Sequence, residues 1–326
     1  MTSSLLPARE KLSICFAHPA YQMSAKMAAR GTGLSFFQVH DLPTLTQRIP
    51  DADVLVVSGL WRNELLDTGT RLRFVQSISA GINQYDQARF REKGVRLASA
   101  QGVNERAVAE HAMAMMLGLR RHIHTGRDNQ SRRHWRPMIS DFATREDELT
   151  GKTLLIVGYG RIGQRLARLA RAFDMRIIGL RRSPMANPAP ADEVAPISAL
   201  ASKLPEADVV ALTCPLTPET QGLIDAKALA LMKPSAVLIN VARGAVVDEP
   251  ALIAALEQRR IKAAGIDVTM QEPLPQTSPL WTMENVLLTP HTAGETCSYE
   301  DNVLDILLTN LDRLWNNQAD LVNSIV

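Results

Sequence analysis

The sequence predicts an α/β protein built from two doubly wound parallel sheets, and three observations carry that prediction. Short β-branched runs alternate with helix-like stretches along the whole chain, the pattern of repeated strand–helix–strand units. A glycine-spaced turn, Gly158-Tyr159-Gly160-Arg161-Ile162-Gly163, stands between an apolar run and a helical one. The length, 326 residues with 46% hydrophobic composition, is ample for two buried cores.

The first series of strands reads "KLSICFA", "SFFQV", "DVLVVS", "RFVQSIS" and "VRLAS". Between the first two, "YQMSAKMAARG" is amphipathic and closes on Gly31, the residue type expected just past a helix end. No long linker follows. "NERAVAEHAMAMMLGLRRHI" predicts a helix from Asn104 to about Ile123, polar at its start and apolar along one face. The second series is "KTLLIVG", "MRIIGL", "ADVVALTC", "SAVLINVA" and "AAGIDV". One echo links the two series: "IPDADVLVVSG" (49–59) and "LPEADVVALTC" (204–214) share a proline, an acid, Ala-Asp and a β-rich run. We read it as two sheets of related design. After "VLLTPH" the chain closes on "YEDNVLDILLTNLDRLW", apolar at helical spacing, which is expected to pack back on the first domain and make it discontinuous.

Composition excludes several classes. A net charge of +2 and 5% aromatics argue against a nucleic-acid surface, which needs a concentrated basic face or stacking platforms. The one basic cluster, "SRRHWRP" (131–137), reads as a solvated, subunit-contacting segment. Cys15, Cys214 and Cys297 are widely spaced, fitting neither a disulfide framework nor a zinc signature; thiols in a reducing compartment are expected. No secretory signal and no apolar run of about 18 residues is present, so a soluble, cytoplasmic protein is expected. His18, His40, His111, His122, His124 and His134 read as structural, and no metal site is expected, since the "HIH" at 122–124 has no partner cluster.

The glycine turn has the context that a dinucleotide loop requires, a strand before it and a helix after. Gly158 would allow the tight turn, Gly160 the approach of a pyrophosphate and Gly163 close packing of helix on strand. The next strand ends roughly twenty residues on, where an acid commonly receives the ribose 2′-hydroxyl. Here stand Arg181, Arg182 and Ser183. Two guanidiniums and a hydroxyl suit a 2′-phosphate, so NADP(H) is favoured. A solvent-exposed basic turn beside an NAD(H) site is the alternative.

Three further stretches, "NVARGAVVDEPAL" (240–252), "GIDVTMQEPLP" (265–275) and "LLTPHTAG" (287–294), complete a set with the glycine loop that resembles the D-isomer-specific 2-hydroxyacid dehydrogenases. The resemblance covers nearly the whole chain and is strongest from Gly151 to Gly294. The residue types also make chemical sense by themselves. Reducing a 2-oxo acid needs a cation for the carboxylate, a proton donor for the carbonyl oxygen and a placed nicotinamide. Arg243 stands at a strand end and can clamp a carboxylate with two parallel bonds. His291 is the natural proton donor near neutral pH, and a carboxylate beside it, Glu272, favours the protonated imidazole. The resemblance makes Arg243, Glu272 and His291 the catalytic set.

The resemblance also nominates the backbone of Ala80 and Gly81 in "SAGIN" for the substrate carboxylate and Asp267 for the nicotinamide amide. It puts Cys214, Pro215 and Thr220 along the adenosine, and Val241, Ala242 and Gly294 along the rest of the cofactor. It implies a Rossmann NAD(P)-binding domain over 104–293 and a flavodoxin-like substrate domain over 1–103 and 294–326, with the active site in the cleft between them and a homodimer built on the helix near 104–123. The expected activity is NADPH-dependent reduction of glyoxylate or hydroxypyruvate. The alternatives are an NAD-linked member acting on phosphoglycerate or a D-lactate-like acid and, from another class, a dinucleotide-sensing corepressor-like binding protein. Trp61 and Arg62 either recognise a substrate side chain or cap their loop. Trp135 is expected to reach toward a partner, and Glu295, just past His291, has no role in this reading.

Overall fold

The computed structural model of the chain describes residues 5–183 and 188–326. They fall into two compact units, one of Met1–Asn104 with Thr296–Val326 and one of Glu105–Glu295.

The first unit is a five-stranded sheet. Its strands are β1 (Ser13–Ala17), β2 (Ser35–Val39), β3 (Val54–Val57), β4 (Phe74–Ser77) and β5 (Arg96–Ala98), all parallel in the order β2-β1-β3-β4-β5. Alternate residues of β1 feed opposite faces: Ile14 and Phe16 enter one core, Cys15 and Ala17 the other, as the two-residue period of a strand buried on both faces requires. The closing helix, Tyr299–Trp315, covers the first face with Val303, Leu304, Leu307, Leu311 and Leu314. The helix Met23–Ala29 ends ahead of Gly31, which takes a φ of +58°. Trp61 is buried at 2% exposure against Tyr85 and Phe90, and its indole N–H donates to Asn63 Oδ1 at 3.0 Å. Arg62 donates to Trp61 O and Gly59 O. Of the two readings of this pair, loop closure is the one the contacts support.

The second unit is a seven-stranded parallel sheet. It contains β6 (Thr153–Val157), β7 (Arg176–Arg181), β8 (Glu193–Pro196), β9 (Val209–Leu212), β10 (Val237–Asn240), β11 (Ala263–Ile266) and β12 (Val286–Leu288), in the order β12-β11-β10-β9-β6-β7-β8. The order reverses between β6 and β9, the kind of switch point where an open parallel sheet leaves a crevice at its carboxyl edge. β8 is a finding beyond the sequence reading. Its run "EVAP" is half exposed, carries a proline and sits at the sheet edge, where a missing N–H is tolerated.

The helix foreseen for 104–123 spans Glu105–Arg120, and a second helix, Ile123–Ser131, follows after His122 turns left-handed at φ +51°. The break has a cause in Arg120. This side chain is 1% exposed, and its guanidinium donates to Asp147 Oδ2 at 2.8 Å and Asp208 O at 2.5 Å. The helix end is thereby tied to the sheet.

The echo between the series is structural. Ile49–Asp51 and Leu204–Glu206 each form one 3₁₀ turn entering β3 and β9. The aspartate that follows accepts from the first amide of the neighbouring strand, Ser13 N to Asp53 and Thr153 N to Asp208, both at 2.9 Å. A cation closes each corner, Arg71 on Asp53 and Lys233 on Asp208. No helix among the described residues is long and apolar enough to cross a membrane.

Candidate active site

The glycine loop follows β6 at the switch point. Gly158 has φ +103°, and a Cβ there would lie 2.4 Å from the Cys214 amide, so both conformation and the neighbouring loop after β9 demand glycine. A Cβ on Gly163 would stand 2.7 Å from Gly158 O, whereas one on Gly160 would meet nothing within 4 Å. The helix Arg161–Arg171 therefore packs tightly on the strand while its N-terminal end opens on free space. The amide end of a helix favours an anion, and no side chain caps this one. Arg161 is exposed and Ile162 half-buried.

A pocket of about 310 Å³ gathers Gly158, Gly160, Arg181, Arg182, Ser183, Cys214, Pro215 and Thr220. Three of these come from the loop after β9, where Thr220 Oγ1 donates to Pro215 O at 2.7 Å and accepts from Thr217 N at 2.8 Å. Burial pushes the Cys214 thiol up to about 11. Thr217 and Glu219 also line the pocket and were not singled out in the sequence. The Thr217 hydroxyl holds the Glu219 carboxyl below its usual range, and the nearby charge of Arg182 adds to this. Tyr159 lines this pocket as well, while its side chain is buried beneath Gly179.

At the other end of the sheet, His291 and Glu272 meet. His291 Nδ1 lies 2.7 Å from Glu272 Oε2, and Glu272 Oε1 accepts from Thr269 N at 3.2 Å. His291 sits at φ +54°, in the left-handed region that few non-glycine residues occupy. Asp267 holds it there. Its backbone carbonyl accepts from His291 N at 2.8 Å, and its buried carboxylate accepts from Thr289 Oγ1 at 2.6 Å, Thr292 N at 2.9 Å and Ala293 N at 3.1 Å. Since the single Thr289 proton goes to the carboxylate, His111 Nε2, 2.9 Å from Thr289 Oγ1, must be the donor of that bond. His111 thus belongs to the support of His291; nothing in the sequence near Glu110-His111 signalled it, because the partners lie far along the chain. Asp267, Glu272 and His291 line a cavity of about 570 Å³ with Pro273, Leu274 and Trp281.

Arg243 is the exposed residue of a buried turn after β10, donates to Ala242 O at 2.6 Å, and lines neither pocket. The turn itself is fixed. Asn240 is 2% exposed, accepts from Ala242 N and donates to Arg243 O. A Cβ on Gly244 would fall 2.0 Å from Thr269 O, which presses the Arg243 turn against the segment leading to Glu272. Val241 and Ala242 are buried at the end of this strand, and Gly294 is half-buried beyond His291. Glu295 is exposed, and its amide donates to Thr292 O. In the first unit, Ala80 and Gly81 form an exposed turn after β4, braced by Ser79 Oγ donating to Gly81 O at 3.1 Å. A Cβ on Gly81 would meet nothing within 4 Å.

Comparison with known proteins places these features in a family. Residues 113–293 match the model of the D-isomer specific 2-hydroxyacid dehydrogenase NAD binding domain. The chain is 36% identical to a glyoxylate reductase of Pyrococcus furiosus over 277 residues, 82% of this chain and 80% of that one. It is 35% identical over 77% of its length to a D-3-phosphoglycerate dehydrogenase of Methanocaldococcus jannaschii, a longer protein of which 48% is matched. A D-isomer specific 2-hydroxyacid dehydrogenase family protein from Aeromonas salmonicida superposes with a TM-score of 0.83 at 30% identity, covering 97% of this chain and 99% of that one.

Proposed function

The chain belongs to the D-isomer-specific 2-hydroxyacid dehydrogenase family, and from that premise we propose that it reduces a small 2-oxo acid of the glyoxylate or hydroxypyruvate kind with NADPH. The observation that carries the reading is the 2.7 Å pair of His291 and Glu272 on the loops following β11 and β12.

Nδ1 of His291 faces the carboxylate, which leaves Nε2 to deliver a proton to the oxygen of the 2-oxo group as that oxygen gains charge. Glu272 offsets the imidazolium and fixes the ring. Arg243 clamps the substrate carboxylate, with the Ala80–Gly81 backbone as its second holder. In the oxidative direction His291 takes the proton back. The residues present fit a dinucleotide: the free space at Gly160, the amides opening the Arg161–Arg171 helix and the pocket holding Arg181, Arg182 and Ser183 suit a pyrophosphate and a ribose phosphate. When bound, the cofactor supplies the hydride. The unit Glu105–Glu295 is then the NAD(P)-binding domain and the other unit the substrate domain, and the working protein is a homodimer.

A second reading, NAD-linked turnover of phosphoglycerate or a D-lactate-like acid, has two supports: the phosphoglycerate dehydrogenase relative and the Glu219 carboxylate, whose charge offsets part of that of Arg182. Initial rates with glyoxylate and hydroxypyruvate, each against NADPH and NADH, decide between them. A clear NADPH preference is expected. Turnover with NADH alone would remove the arginine argument and leave the family chemistry intact.

A further inference from the structure

The residue between the first two glycines of the phosphate loop turns its side chain into the protein. Tyr159 is fully buried, and its ring fills the space under β7 at Gly179, where a Cβ would stand 2.5 Å from the Tyr159 Cγ. The two positions are matched in size: an aromatic ring at 159 leaves room only for glycine at 179.

Tyr159 also bonds the chain just before Arg181, Arg182 and Ser183, at Leu180, and again at Pro188 and Ala191. Its amide donates to Leu180 O at 2.7 Å, and Gly158 N donates to the same carbonyl at 2.9 Å. The phenol donates to Pro188 O at 2.9 Å and accepts from Ala191 N at 3.0 Å. Burial raises the phenol above its ordinary range, which keeps the donor proton in place. Beyond Ala191 the returning chain is fastened again: the Asp192 carboxylate accepts from Ile177 N at 2.7 Å and pairs with Arg171 at 2.9 Å. Arg182 and Ser183, by contrast, are exposed.

We infer that Tyr159 is a positioning residue for cofactor choice, holding Leu180 ahead of Arg181, Arg182 and Ser183, and Pro188 and Ala191 further on, so that two guanidiniums and a hydroxyl stand ready for a phosphate monoester on the cofactor ribose. The inference rests on the NADPH reading above. Its physical basis is preorganisation: ordering backbone and long side chains at the moment of binding costs affinity, and side chains carried next to backbone already held escape part of that cost. A dinucleotide without the phosphate draws little on these side chains, so loosening the backbone beside them penalises the two cofactors unequally.

The test is Tyr159→Phe, which keeps the ring under Gly179 and deletes the hydroxyl. Dissociation constants for NADPH and NADH are measured by fluorescence titration on the full chain, beside wild type and an Arg181→Ala/Arg182→Ala variant. For Tyr159→Phe the preference for NADPH over NADH is expected to fall roughly five- to tenfold, the weight of one or two hydrogen bonds, with cooperative melting retained. An unchanged ratio, or equal losses with both cofactors, overturns the inference. If wild type prefers NADPH and the arginine variant loses that preference while Tyr159→Phe keeps it, only the role of Tyr159 falls. If wild type shows no preference, the cofactor reading falls and takes this inference with it. Hydrogen exchange gives a second readout on wild type alone: NADPH should slow exchange at the Ala191 amide more than NADH does, and equal slowing counts against the inference.

Discussion

Cys214 follows β9 with 5% of its surface exposed, and burial pushes its thiol up to about 11. A thiol reacts as its thiolate, which forms as pH rises through the pKa, so at pH 7 only about one Cys214 in ten thousand is ionised. Cys15, pushed up to about 12 by its own burial, is further from reacting, whereas Cys297 is exposed. Iodoacetamide at neutral pH should therefore label Cys297 alone and leave cofactor binding intact, with labelling of Cys214 growing about tenfold per pH unit toward 11. Rapid labelling of Cys214 at pH 7, read by peptide mass, would contradict this. The same scale holds the proton donor. His291→Ala should lower kcat by roughly a hundredfold to ten-thousandfold while the cofactor dissociation constant changes little. Glu272→Gln, which keeps an acceptor for Nδ1 but removes the charge, should fall at the mild end of that range. Substantial turnover in His291→Ala would remove the imidazole from the mechanism.

Elements bring these residues together through backbone contacts that leave no room for a side chain. The turn after β10 meets the segment after β11 at Gly244, where a Cβ would sit 2.0 Å from Thr269 O. Arg243 precedes that glycine, and the Thr269 amide holds Glu272, so one contact sets the spacing of both. Gly244→Ala must force the two loops apart. We expect a loss of about 1–3 kcal/mol in stability, by denaturant melting, together with a larger drop in kcat/KM than in melting temperature would suggest; unchanged kcat/KM would show that the contact does not set the site. The strands, the glycine loop and the closing helix were legible because each has its own period or spacing. The pairing of His291 with Glu272 was legible because the resemblance joined the stretches that carry them. What escaped has two kinds of cause, one local and one tertiary. β8 is too short and proline-flanked for its alternation to be seen, the break at His122 depends on Arg120 reaching Asp147 and Asp208 O, and His111 finds Thr289 at a separation of 178 residues. Such partners are set by tertiary packing, which local pattern does not encode.

On the scale of the whole molecule, the surface of the second unit carries a segment that a lone chain leaves in water. Trp135 is 97% exposed, Met138 96% and Phe142 84%, with Ile123 at 60% on the preceding helix. Large apolar side chains left this exposed within one short stretch of chain point to a contact surface. The segment is rooted in structure, since Asp147 at its end holds both Arg120 and Lys152, and Arg136 within it pairs with Glu146. A second copy of this chain is the occupant that the proposed homodimer supplies, and a two-fold pairing would bury the same patch on both subunits. Sedimentation velocity on the 35.8 kDa chain should then report a species of about twice that mass. Trp135→Asp combined with Phe142→Asp should shift it to the monomer, because burying two unpaired carboxylates from each subunit in an apolar contact costs several kcal/mol or more. The cofactor pocket lies among other residues, Gly158 to Thr220, so the variant should still bind dinucleotide if each unit keeps its own core. A wild-type chain that sediments as a monomer at micromolar concentration would leave the exposed aromatics without a partner and remove the dimer from the proposal.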